Sequence, residues 1–422
     1  MEQIIRTGHL SGIIRIPASK SDSQRAVLCA ALSEGTSHVS GIGRSDDEKA
    51  MLNSVIALGA TVQFVSETGA DIKGINRLSG VTELSAGESG LGLRLLTCVC
   101  AAFDQPVTLN GKGSLLKRPM NFFDEVLPRF GCDVTTTNGF LPIRVKGPVK
   151  GTNLEVDGSL SSQFISGLLM ALPKSKQASS LTVVNMKSGP YIQMTLQTLR
   201  KFGIEVENKE NVFSIPGNQS YKSADYTVEG DWSSASYWLV ASAVGHSVSV
   251  SGLTMESLQA DKALLQALMS AGCRVQIEEQ SVHVNGKDLH PFVFDAPDCP
   301  DLFPALVVLA AKCEGISTIR GIGRLAHKES NRGVVLQSEF GKMGLKIVLD
   351  HDEMLIHGTG NLQGAVVSSH HDHRIAMSLA IAATFANGET QVRDAEAVAK
   401  SYPDFWKHLV SLNESITVQA KN

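Results

Sequence analysis

Eight basic side chains, Lys20, Arg25, Arg94, Arg118, Lys328, Arg332, Arg374 and Lys400, lie beside short segments rich in Ser, Asp, Gly and Pro. The segments are SKSDSQR (19–25), ESGLGLR (88–94), KRP (117–119), SLSSQ (159–163), SGPY (188–191), EGDWSSAS (229–236), PDCPD (297–301), HKESNR (327–332), HHDHR (370–374) and AKSYP (399–403), with SDDEK (45–49) of the same kind. Such compositions mark helix starts. A helix start offers unpaired N–H groups and the positive end of the macrodipole, and so receives phosphate or carboxylate. Ser, Asp and Pro there are ordinary caps. Lysine and arginine are disfavoured there by the same dipole, so their recurrence calls for an anionic ligand or a carboxylate partner. The chemistry implied is capture of a doubly or triply anionic small molecule.

The elements that must position these residues repeat along the chain. An amphipathic stretch ends in glycine, and a β-branched residue then opens a strand: LGATV, FGCDV, FGIEV, AGCRV and MGLKI. The glycines, Gly59, Gly131, Gly203, Gly272 and Gly344, recur about every 70 residues. Glycine suits the left-handed position that ends a helix before a strand. Between these glycines lies a second, more apolar helical pattern: QRAVLCAAL, LGLRLLTCVCAAF, SQFISGLLMAL, SASYWLVASAV, DLFPALVVLAA and HRIAMSLAIAATF. Strand-like stretches such as SHVSGI, PVTLNG, SVSVSG and STIRGI follow these helices. Six copies of a two-helix unit with several short strands are expected; the sixth, SYPDFWKHLVSLNESITV, lacks the glycine. Periodicity alone leaves open one long array or two domains of three units each.

Composition sets the outer limits. A chain of 422 residues exceeds one ordinary core, so two domains are expected. With 43% hydrophobic and 19% charged residues it is globular rather than disordered. The net charge of −4 gives no global positive field for nucleic acid, so anions must be held by local clusters. The opening MEQIIRTGHL lacks the basic and apolar regions of a signal peptide, and apolar runs such as 305–311 are too short to span a bilayer. Seven cysteines without a CxxC pair read as buried, reduced thiols, Cys98 and Cys100 among them, in a cytoplasmic protein.

Other chemistries fit less well. GKGSLLKR (111–118) lacks the spacing of a nucleotide P-loop. HHDHR crowds histidines around an aspartate, but adjacent residues rarely converge on one ion, and no HExxH or cysteine partner accompanies them; no metal is expected. SLSSQF does not match the GxSxG nucleophile elbow of serine hydrolases.

The segments PASKSDSQRAVLCAAL, SGLGLR, KRPM, DGSLSSQFISGLLMAL, SGPYIQMTL, VEGDWSSASYWLVA, PD before an apolar helix, HKESNR, DHRIAM and AKSYPDFW follow one another in order. Together they resemble, over essentially the whole chain, the EPSP synthases (3-phosphoshikimate 1-carboxyvinyltransferases) of the enolpyruvyl transferase family. The resemblance implies an α/β (α+β) fold of two domains, each of three βαβαββ units about a pseudo-threefold axis, an inside-out α/β barrel. One domain is then discontinuous, 1–18 plus 229–422, with 19–228 inserted and the active site in the interdomain cleft. The activity implied is transfer of the enolpyruvyl group of phosphoenolpyruvate to the 5-hydroxyl of shikimate 3-phosphate, a step toward chorismate and aromatic amino acids.

Carried over by position, Lys20, Gly90, Arg118, Arg332, Arg374 and Lys400 are expected to hold phosphoenolpyruvate. Arginine suits this role because its planar fork pairs with carboxylate and phosphate oxygens. Ser21, Arg25, Ser161, Ser162, Gln163, Ser188 and Tyr191, with Asp301 and Lys328, are expected at shikimate 3-phosphate; Ser161 and Ser162 also suit a plain helix cap. The catalytic set implied is Asp301 as base at the 5-hydroxyl, Glu329 as acid at the methylene carbon with Lys328 as a competing assignment, and Lys20. For Glu329 the plainer alternative is an i, i+3 salt bridge to Arg332. Neither metal nor organic cofactor is implied, since five cations supply the electrostatics, and the resemblance implies a monomer that binds neither nucleic acid nor membrane. Glu88 and Arg324 depart from the usual asparagines. A carboxylate near phosphoenolpyruvate repels it, so Glu88 is expected to pair with Lys117, Arg324 or Arg94. Two alternatives stay open: a UDP-N-acetylglucosamine enolpyruvyl transferase, and a non-catalytic binder of a phosphometabolite. The first has Lys-Asn where this chain has Lys20-Ser21, and commonly a loop cysteine that 112–120 lacks.

Overall fold

The five recurring glycines all take the left-handed conformation, with φ of 116° at Gly59, 76° at Gly131, 74° at Gly203, 90° at Gly272 and 85° at Gly344. Each turns the chain from a helix into a strand, as its spacing predicts. The structure is a computed structural model that describes all residues except 76–77, 279–280, 327, 414–418 and 422.

The unit between these turns is built six times. In one copy the strand Glu83–Ser85 leads into the helix Gly90–Cys100, the strand Val107–Asn110, the helix Asn121–Val126, and the hairpin strands Asp133–Thr137 and Phe140–Lys146. The first two strands pair in parallel, and the hairpin adds antiparallel beside the second. This arrangement of strands recurs in six open four-stranded sheets, three of them built in βαβαββ chain order and three taking one strand from a distant part of the chain. Strand residues alternate as a half-buried sheet requires: along Phe140–Lys146 every second side chain is buried.

The chain divides into two compact units, Met1–Pro17 with Gly230–Asn422, and Ala18–Glu229. Each holds three of the sheets and its own hydrophobic core. In both, the set of sheets is closed by a strand distant in sequence. Asp225–Thr227 pairs in parallel with Thr36–Ser40, completing the first sheet of the Ala18–Glu229 unit. In the other unit Ser11–Arg15 pairs with Ser247–Ser251, and Glu2–Arg6 inserts between Glu389–Arg393 and Gln419–Lys421.

The more apolar helix of each repeat is the inner one. Every residue of Gly90–Cys100, Trp232–Ala243 and His373–Ala383 is buried, and helices buried all round are apolar all round. Their packing is close: a β-carbon at Gly167 would lie 2.8 Å from the carbonyl oxygen of Arg94 and from Cys98 Sγ. Burying the body of each inner helix fixes the position of its first turn, where the polar residues of the sequence patterns lie.

Gly167→Ala is therefore expected to destabilise the protein by about 1–3 kcal/mol, since backbone cannot yield to the added methyl. A fall in the denaturation midpoint measures it; an unchanged midpoint contradicts this packing.

Candidate active site

In the unit that contains both ends of the described chain, three polar segments meet around one guanidinium. Arg332 opens the outer helix Arg332–Lys342 and is 1% exposed. Its Nη1 donates to Asp301 Oδ1 at 2.6 Å, its Nε to Asp372 Oδ2 at 2.8 Å, and its Nη2 to Asp372 Oδ1 at 3.3 Å and to Glu329. Burial opposes the charge, yet Asp372, Glu329 and Asp301 together raise the Arg332 pKa above its ordinary value. Asp372 is itself fully buried and caps the inner helix His373–Ala383 by accepting from Arg374 N at 3.0 Å.

Asp301, in the turn before the inner helix Phe303–Lys312, collects three cations. Besides Arg332, Lys328 Nζ approaches Oδ1 at 3.3 Å and Arg374 Nη2 approaches Oδ2 at 3.0 Å. Burial alone would raise its pKa, but Arg374, Lys328 and Arg332 outweigh that and hold the carboxyl well below the usual range. Lys400 donates to the carbonyl of His371 at 2.8 Å, beside Asp372. Asp301, Lys328, Glu329, Arg332, Arg374 and Lys400, dispersed over 100 residues of sequence, thus belong to one cluster.

In the Ala18–Glu229 unit the cations are held differently. Arg25, 1% exposed, donates to Thr195 Oγ1 at 2.8 Å, to the carbonyl of Ser21 at 2.6 Å and to that of Tyr191 at 3.3 Å. Lys20 Nζ pairs with Asp47 Oδ2 at 2.9 Å. Ser188, at φ 53° and buried, precedes the helix Gly189–Lys201 that carries Tyr191. Beside them, Gly90 opens an inner helix; a β-carbon there would stand 2.5 Å from Arg118 Nη1 and 3.0 Å from Arg94 Nη1. Glycine is what lets these guanidiniums lie against the helix start. Arg94 also donates to Gln163 Oε1 at 2.6 Å, and Ser161 caps the helix Ser162–Ala171 by accepting from Gln163 N at 3.3 Å. Ser89 Oγ reaches Gln24 Oε1 at 3.1 Å, tying this group to the helix of Lys20, Ser21 and Arg25. In each unit by itself the basic residues lie against a helix start, hydroxyls or carboxylates, which is equipment suited to anions, with acid–base groups in the unit of Arg332.

A family model described as EPSP synthase (3-phosphoshikimate 1-carboxyvinyltransferase) matches residues 5–409. The chain belongs to the EPSP synthase family. Its relatives include proteins named 3-phosphoshikimate 1-carboxyvinyltransferase from Clostridium beijerinckii, 36% identical over 97% of this chain and 96% of that one. Another, from Clostridium perfringens, is 38% identical over 97% of this chain and 98% of that one. An EPSP synthase structure from Acinetobacter baumannii superposes with a TM-score of 0.85 at 26% identity, covering 100% of both chains.

Against this family pattern, residues with no assigned role in the sequence reading stand out. Asp372 lies within HHDHR and serves Arg332 and a helix cap; its place two residues before Arg374 was the available signal. Asp47, within SDDEK, is the partner of Lys20. Asp261 lies at an outer-helix start that the motif pattern passed over. Glu88 accepts from Ser114 N at 3.4 Å, its carboxylate filling the space a side chain at Gly113 would need. Arg324 has Asp298 and Asp301 as charged neighbours, and burial lowers its pKa. Among the described residues no helix is long and apolar enough to cross a membrane.

The depressed Asp301 pKa fixes a sign. A carboxylate held below its unfolded value stabilises the fold above that unfolded value, and the contribution vanishes as pH falls through the folded pKa. Asp301→Asn is expected to lower the melting temperature at neutral pH, with the difference from wild type closing below about pH 4. A difference that widens in acid contradicts the cation cage.

Proposed function

We propose that this chain transfers the enolpyruvyl group of phosphoenolpyruvate to the 5-hydroxyl of shikimate 3-phosphate, releasing phosphate. The observation that carries the reading is the arrangement at Arg332, where two carboxylates suited to base and acid, Asp301 and Glu329, bind one buried guanidinium. Lys20, Gly90, Arg118, Arg332, Arg374 and Lys400 are assigned to phosphoenolpyruvate. Ser21, Arg25, Ser161, Ser162, Gln163, Ser188 and Tyr191, with Asp301 and Lys328, are assigned to shikimate 3-phosphate. The serines and Gln163 suit a ligand bearing both hydroxyls and a phosphate.

In this mechanism Glu329 protonates the methylene carbon of phosphoenolpyruvate, C2 becomes electrophilic, and the 5-hydroxyl adds to it while Asp301 takes the hydroxyl proton. The tetrahedral adduct then returns a proton from the methyl carbon, and the bond from C2 to the phosphate oxygen breaks. The resting ion pairs bear on the order of events. A substrate anion that shares Arg332 and Arg374 with Asp301 weakens their hold on that carboxylate, so its basicity rises as the donor is bound. We also place the protein in the cytoplasm as a monomer without metal or organic cofactor; seven buried free cysteines suit a reducing compartment.

Phosphate release from phosphoenolpyruvate is expected with shikimate 3-phosphate as acceptor and not with UDP-N-acetylglucosamine. Asp301→Asn is expected to lower kcat by about 10²–10⁴-fold, the usual worth of a positioned acid or base. Release with the sugar nucleotide alone, or with neither acceptor, rejects the assignment.

A further inference from the structure

The outer-helix start before Leu264–Ser270 has no part in the mechanism above. Its residues are clamped over the first turn of the inner helix Trp232–Ala243. Gln259 donates to the carbonyl of Gly230 at 2.7 Å and accepts from Trp232 N at 3.0 Å, while Trp232 Nε1 donates to the carbonyl of Thr254 at 3.2 Å. Lys262 bridges the carbonyls of Met255 and Ser257 at 2.8 Å each. What this clamp delivers is Asp261, with none of its surface exposed.

Asp261 Oδ2 accepts from Ser233 Oγ, while its Oδ1 has no hydrogen-bond partner among the described residues. A buried carboxylate oxygen without a donor is costly, and a protein retains one only where other groups compensate. The groups facing it come from each packed element: Asp231 and Ser233 at the start of the inner helix, Cys299 and Asp301 in the turn after Asp298, and Arg374 from the next inner helix. Arg374 feels Asp301, Tyr237, Asp261 and Asp231 together, makes its ion pair with Asp301, and has an Nε without an acceptor. One guanidinium therefore answers to three carboxylates.

We infer that Asp261 is a positioning residue for the transfer reaction, set behind Arg374 so as to limit how tightly that guanidinium holds Asp301. The inference rests on the function proposed above. Burial and the charge of Asp301 push the Asp261 carboxyl up to about 6, so a small change at Arg374 decides whether it carries a proton. With Asp261 ionised, Arg374 is shared and Asp301 keeps more of its basicity. With Asp261 neutral, Arg374 belongs to Asp301 alone, and the base weakens.

Asp261→Asn keeps the shape and removes the charge. Near pH 7 it is expected to lower kcat about tenfold without raising KM for phosphoenolpyruvate, and to move the acid limb of the kcat–pH profile downward by up to about one unit. Ser233→Ala, which raises the Asp261 pKa by removing its hydrogen bond, is expected to fall between wild type and Asp261→Asn, with a loss that grows as pH falls. A raised KM with an unmoved pH profile, or wild-type kinetics in both variants, overturns the inference. Calorimetry with inorganic phosphate needs no turnover. Asp261→Asn is expected to bind it about threefold more tightly, and weaker binding overturns the inference whether or not wild type releases phosphate from phosphoenolpyruvate.

Discussion

A guanidinium that is 1% exposed has to find acceptors of good geometry inside the protein, and at Arg332, the residue on which this structure turns, three carboxylates supply them. Its three acidic partners come from separate segments: Asp301 before one inner helix, Glu329 a turn ahead of Arg332, and Asp372 capping another inner helix. Satisfying one buried cation therefore fixes three helix starts relative to one another. The arrangement is strong enough to hold and open to exchange, because an incoming phosphate or carboxylate offers Arg332 the same kind of bond.

The two units hold their cations by different means. Arg25 and Arg94 donate to carbonyls, a hydroxyl and an amide oxygen, with Asp22 as a charged neighbour of Arg25. Arg332 and Arg374 rest on carboxylates, which lower the net charge and supply groups able to move protons. The contrast is one of acceptor type: neutral oxygens at Arg25 and Arg94 in the Ala18–Glu229 unit, carboxylates at Arg332 and Arg374 in the other. Lys20, paired with Asp47, is the member of the first unit that follows the second pattern.

The repeat was legible because its signals are local. A left-handed glycine after a helix and an apolar inner helix each follow from short-range sterics and burial, so Gly59 and Gly131 mark turns in the sequence itself. The basic residues were legible because the dipole makes them unexpected at helix starts. Their carboxylate partners were harder to find, since aspartate is an ordinary cap: Asp372 is both a cap and an ion-pair partner, and spacing cannot separate the two. Asp261 was hidden for another reason. It sits in a short 3-10 turn, Ala260–Ala263, ahead of a helix of only 7 residues, too brief to show a period. The pairings of Glu2–Arg6 and Ser11–Arg15 are long-range, and no local pattern encodes them.

Those pairings set an order of assembly. During synthesis the first two strands emerge before any of their neighbours exist, and Ser11–Arg15 waits for Ser247–Ser251. Glu2–Arg6 waits longer still, until Glu389–Arg393 leaves the ribosome. The Ala18–Glu229 unit, whose strands all pair within it, has every partner it needs much earlier. The nascent chain therefore completes its inserted half first, with two unpaired leading strands tethered to it, and the apolar residues Ile4, Ile5 and Ile14 are exposed to chaperones and to other chains throughout that interval.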